Sequence, residues 1–146
     1  MSADSDPAAP SDATLHRAQV LWSQSGEDLK AAKAIRRENG LQSAFLSLQS
    51  AVNGLSAVCH LNGHFHLPMG SPAHLMALCA EADGRFGDLA GPSSRLEEAM
   101  ESNPFDPKRN PKADAELGRH CLDEAKRVHQ LVKAYLKDNR GRFFSP

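Results

Sequence analysis

Aromatic side chains are scarce: one Trp, one Tyr and six Phe among 146 residues. A protein that stacks successive bases of a single strand needs more rings than that. Net charge is also nearly absent, because 17 basic residues face 18 acidic ones. The uniform positive field of a bulk nucleic-acid binder is thereby excluded, and any polyanion contact must be local. The three cysteines, Cys59, Cys79 and Cys121, form an odd set without CxxC spacing. Each lies in a helix-like apolar setting where a reduced thiol acts as a small hydrophobe, which fits a reducing cytoplasm. The opening MSADSDPAAPSDAT has neither a basic start nor an apolar segment. Residues 1–12 therefore read as a disordered leader, with no signal peptide and no membrane partner. Neither GxxxxGK[ST] nor GxGxxG occurs, so phosphoryl transfer and dinucleotide binding lose their usual motifs and no cofactor is implied. Strand-period alternation of useful length is missing, as is any repeat of roughly 20 to 50 residues.

Helical periodicity is what remains, and it predicts one all-α domain over residues 13–139, an up-down bundle of four to five helices, followed by a tail at 140–146. A first helix begins near Ser11 or Asp12 and carries Leu15, Ala18, Trp22, Ser25, Leu29 and Ala32 on one stripe. Asn39-Gly40 is expected to close it in the left-handed conformation, which makes the next helix an antiparallel neighbour. That second helix, LQSAFLSLQSAVNGLSAVCHLN, is the most informative stretch. Ala, Ser and Gly stand where Leu would be usual, so a neighbouring backbone can come close, within a tight bundle or across a dimer. Gly54 in mid-helix costs about 1 kcal/mol against Ala, which a close helix contact would explain. Asn62-Gly63 ends the run, and Ser71-Pro72 supplies a cap and first-turn proline for a third helix over about Ala73 to Asp83. DGRFGDLAGP breaks that pattern. Ser94-x-x-Glu97 then reads as a capping box for a short helix. The three prolines of NPFDPKRNP, residues 103–111, predict a turn-rich crossover into a last helix from about Ala113 to Asp138. Its stripe is Leu117, Cys121, Ala125, Val128, Val132 and Tyr135.

An early long helix, the run LQSAFLSLQSAV, and SPAHLMALC after a Gly/Pro loop together resemble the HEPN domain, the higher eukaryote and prokaryote nucleotide-binding fold, over roughly residues 15–138. Gln49-Ser50-Ala51, His74-Leu75 and the proline-bearing Asn103-Pro104-Phe105-Asp106-Pro107 carry the likeness. The resemblance implies a domain that commonly dimerises, often beside a nucleotidyltransferase or within a toxin–antitoxin or defence system. Active members of that family are metal-independent ribonucleases marked by an Arg followed, after four to six residues, by a His. Here Arg109 to His120 leaves ten intervening residues and Arg119 to His129 leaves nine. The chain therefore reads as a non-catalytic homodimeric subunit that binds a nucleotide, RNA or protein partner. The alternative is a ribonuclease using Arg109, Arg119, His120 and His129 in another arrangement.

Candidate binding residues are His64, His66 and His74 around the inter-helix loop, and Asn103, Asp106, Lys108 and Arg109 in the crossover. His60, His64, His66 and His74, with Cys59, also raise a histidine-dependent metal site, although no standard zinc spacing is met. Capping and solvent exposure are the plainer reading of those imidazoles. The GPSS turn at 91–94 leads into a helix N-terminus, where free amides hold anions. The basic residues at the C-terminal end, Arg119, Lys126, Arg127, Lys133, Lys137, Arg140 and Arg142, read as a solvated face with cations favoured by the helix dipole.

Overall fold

The computed structural model describes residues 10–64, 71–89 and 94–143. Among these the chain is all helical, as the periodicity predicts: α1 is Asp12–Ile35, α2 Gly40–Leu61, α3 Pro72–Ala82, α4 Arg95–Glu101, α5 Pro111–Asp138 and α6 Arg140–Phe143. No helix among the described residues is long and apolar enough to cross a membrane. The expected leader lies outside the described residues over 1–9, as does most of the His-containing loop, 65–70.

Three helices make the body. α1 and α2 run antiparallel, and serines stitch them together. Ser25 Oγ donates to the Ser50 carbonyl at 2.7 Å, Ser50 Oγ returns a bond to the Ser25 carbonyl at 2.8 Å, and Ser43 Oγ donates to the Ala32 carbonyl at 2.8 Å. Side chains that reach the opposite backbone this way require the two helices to lie close, and the small residues of α2 allow it. Gly54 belongs to the same seam. A Cβ there would stand 3.1 Å from Ser25 Oγ and 3.6 Å from Val132 Cγ2, so its closest neighbours are α1 and α5 of its own chain.

α5 runs parallel to α2 and places all six residues of its expected stripe in the core, with Gly118 and Leu122 beside them. Its start differs from the expectation. Asn110 caps it through the Lys112 N–H and Pro111 takes the first turn, so the helix begins two residues early. Asn39-Gly40 is also corrected. Asn39 is extended, with φ −149°, and its side chain accepts from the Gln42 N–H as the N-cap of α2. Gly40 is there for another reason: a Cβ on it would come within 2.6 Å of Ala115 Cα, and a Cβ on Gly118 would run into the Gly40 carbonyl. α2 and α5 thus cross backbone against backbone at their N-terminal ends. Gly63, with φ +88°, does close α2 as Asn62-Gly63 predicts.

The smaller elements pack against α2 and α5. Ser71 caps α3 and Pro72 opens it. The broken stretch after it is a 3₁₀ helix, Gly84–Leu89, whose Phe86 is fully buried and edge-on to Tyr135, ring centres 5.9 Å apart. The capping box at Ser94 is not formed. Glu124 of α5 accepts from the Arg95 N–H at 2.7 Å and from Ser94 Oγ at 3.0 Å, while Glu97 accepts from the Ala73 N–H of α3 at 2.7 Å. Each carboxylate serves a neighbouring helix start, where the dipole favours negative charge.

Candidate functional site

Of the expected binding residues, His64 lies just beyond α2, half-buried, with its N–H bonded to the Cys59 carbonyl at 2.9 Å. His74 is exposed on α3, and His66 lies outside the described residues. His60 is half-buried, and burial followed by the Arg17 charge pushes its imidazole below the ordinary value. Among the described residues no three His, Cys, Asp or Glu side chains come together as a metal would require. In the crossover, Asn103 Oδ1 accepts from the Phe105 N–H and Asp106 Oδ1 from the Lys108 N–H, both at 2.9 Å. Arg109 forks onto Asp114, with Nε 3.1 Å from each oxygen, and its Nη1 donates to the Asn103 carbonyl. Asn103, Asp106 and Arg109 thus fold the crossover and fasten it to α5, leaving the Lys108 side chain exposed. No hydrogen bond or ion pair among the described residues joins this group to His64 or His74. The α4 N-terminus, whose free amides could hold an anion, already holds the Glu124 carboxylate.

The alternative ribonuclease residues are not gathered either. Arg119 is exposed and His120 half-buried on α5, and ten residues of helical rise separate Arg119 from His129 by about 15 Å along the axis. Arg109 is anchored below the start of the same helix.

His129 has a different neighbour. Its ring stacks on Trp22 of α1, centres 4.4 Å apart and planes inclined by 16°. Gly26, one turn on, borders the ring: a Cβ there would lie 3.9 Å from His129 Cε1, an ordinary contact. Burial first, then the charges of Lys133 and Lys33, lower the His129 pKa, so the imidazole is neutral at pH 7. Its Nδ1 is buried without a hydrogen-bond partner among the described residues. The stack is one neutral aromatic wall between α1 and α5.

Beside that wall opens a groove of about 590 Å³, lined by Gln19, Trp22, Lys133, Leu136, Lys137 and Arg140. Its floor is the half-buried Trp22 and Leu136. Its rim is three cations and no carboxylate, and none of the three is engaged in an ion pair among the described residues. Lys133 and Lys137 are four residues apart on α5 and share one edge of it, and Arg140, the first residue of α6, lines the same groove. A flat apolar ring has a surface to lie on here, and an anionic group attached to it has cations within reach. The spacing of those cations was visible in the sequence as part of a solvated face. Trp22 stood on a core stripe, and only the packing of α1 on α5 puts the two together. Family models, curated proteins and solved structures give no match to this chain.

Proposed function

We propose that this chain is a non-catalytic helical binding module whose ligand is a nucleotide, held in the α1–α5 groove. The observation that carries it is the acid-free cationic rim over a tryptophan floor. Base stacking on Trp22 would contribute about 1–3 kcal/mol. Lys133, Lys137 and Arg140 would hold phosphate in a solvent-exposed, salt-sensitive way. One ring platform suits a single base or a strand end, in keeping with the low aromatic content. The HEPN resemblance supports the same reading, with a homodimeric regulatory subunit beside a nucleotidyltransferase, or in a toxin–antitoxin or defence system, as its wider setting. Lack of catalysis is supported by His129 being stacked and by Arg109 being tied to Asp114.

Trp22 is the only tryptophan, so its emission reports on the groove directly. Titrating adenosine monophosphate at low salt should quench it, with adenosine and inorganic phosphate each far weaker. Lys133→Glu with Lys137→Glu should abolish the effect, as should molar salt. Unchanged emission up to about 10 mM nucleotide, the range of the weakest useful affinities, would defeat the proposal. Metal-independent cleavage of RNA in EDTA, lost in His120→Ala or His129→Ala, would instead favour the ribonuclease.

A further inference from the structure

On the other flank of α1 a second cavity of about 460 Å³ opens between α1, α2 and α4. At its base stands Asp28, only 7% exposed. One of its oxygens accepts from Gln24 Nε2 at 2.8 Å and the other from Asn53 Nδ2 at 2.9 Å. Both oxygens accept from amides and neither donates to a protein group, the role a carboxylate ion plays. Two amides orient such an ion, but they carry no charge to balance it. No lysine, arginine or histidine among the described residues lies within ion-pair distance of Asp28. Buried charges are ordinarily paired or bound to a cation. The remaining lining is Leu48, Gln49, Val52 and Met100, and Met100 is 46% exposed at the mouth. Large apolar side chains at a cavity lip favour an apolar body in the cavity.

We infer that this cavity is a binding site for a small organic primary ammonium, its cationic head on Asp28 and its hydrocarbon part against Leu48, Val52 and Met100. The evidence is charge complementarity combined with shape. A carboxylate has about four acceptor positions, and the two amides take two of them. An ammonium has three donors to place, and the open side of Asp28 offers it the missing counter-charge. Gln24 and Asn53 hold the carboxylate in a fixed orientation, which reduces the ordering needed on binding. The site is independent of the nucleotide groove: Gln24 and Asp28 border the buried stripe of α1 on one side, Trp22 and Gly26 on the other.

Phenethylammonium chloride is a suitable probe, followed by isothermal titration and by amide chemical shifts of the full chain. Saturable binding is expected, with shifts centred on residues 24, 28, 49 and 53. The neutral isostere 2-phenylethanol should bind at least about tenfold more weakly, because it lacks the charge that Asp28 recognises. Asp28→Asn should lose about as much, with an unchanged helical circular dichroism spectrum. If Asp28→Asn does not fold, Gln49→Lys at the exposed lip decides the matter: its tethered ammonium should compete and weaken the probe, while Gln49→Met should not. Equal binding of the alcohol and the amine, or of the lysine variant and the wild type, overturns the inference. So does the absence of saturable amine binding up to about 10 mM.

Discussion

Gly118→Ala is a substitution that ordinarily strengthens a helix, and here it should weaken the protein. In a helix interior Ala is favoured over Gly by about 1 kcal/mol. Gly118 lies well inside α5, so local propensity alone forecasts a gain of that size. Its surroundings forecast the reverse. A methyl group there would run into the Gly40 carbonyl oxygen, with two further Gly40 atoms 3.0 Å away. All three are backbone atoms of the first residue of α2, and none can swing aside as a side chain would. Relief means pushing α2 off α5, opening the seam that buries Leu117, Cys121 and Leu122. Overpacking of a dense core costs about 1–3 kcal/mol, more where only rigid atoms are met, so a net loss of about 2 kcal/mol is expected. Gly26→Ala supplies the control, since its methyl would meet only His129 Cε1 at 3.9 Å, an ordinary contact. That variant should be up to about 1 kcal/mol more stable than wild type. Urea unfolding followed by circular dichroism, with equal slopes checked, reads both. A Gly118→Ala midpoint at or above that of wild type would refute the backbone crossing.

Three further outcomes follow from the same geometry. Glu124→Ala should cost about 1 kcal/mol in urea unfolding by leaving the Arg95 N–H uncapped, and Ser94→Ala should cost less; the reverse order would restore the capping box at Ser94. His129 and His60 both have imidazole pKa values lowered from 6.5 in the fold. The unfolded chain therefore takes up protons first, so their contribution is complete above pH 6.5 and is lost as pH falls from there through the lowered values; a melting temperature that rises on acidification through this window would contradict the burial of both rings. Cys121 is buried and its thiol is pushed up to about 12, burial being the main cause. With Cys59 and Cys79 also buried, a thiol-reactive dye at neutral pH should label the native protein slowly and all three sites after denaturation, a contrast read by mass spectrometry.

The helices were legible because each long one has an amphipathic period that the core enforces. The α5 stripe from Leu117 to Tyr135 is buried as a set. Punctuation was harder to read. Asn39-Gly40 looks like a helix stop because Asn and Gly share a tolerance for left-handed backbone, yet Asn39 starts a helix and Gly40 makes room for another. Nothing local distinguishes those roles; the difference lies seventy-five residues away, at Ala115. Ser94 and Glu97 have capping-box spacing, but Glu124 outcompetes them through a tertiary contact. The sites were the least legible. Trp22 and Lys133, or Asp28 and Asn53, are brought together only when two helices pack at a given register, and neither pair has a spacing to detect. Histidines and a proline-rich loop are conspicuous in the sequence, whereas in the fold the crossover residues mostly hold their own turn.

The exchange of carboxylates between helix starts bears on how the chain matures during synthesis. Glu97 on α4 completes the first turn of α3, and Glu124 on α5 completes the first turn of α4, so each short element waits for one made after it. A nascent chain halted before residue 124 would hold α1 and α2 as a hairpin and leave α4, which carries the Glu97 anchor of α3, without its own anchor. Translation has to pass Glu124 before the middle can set, and a released fragment ending before that residue should be open to proteases over α3 and α4.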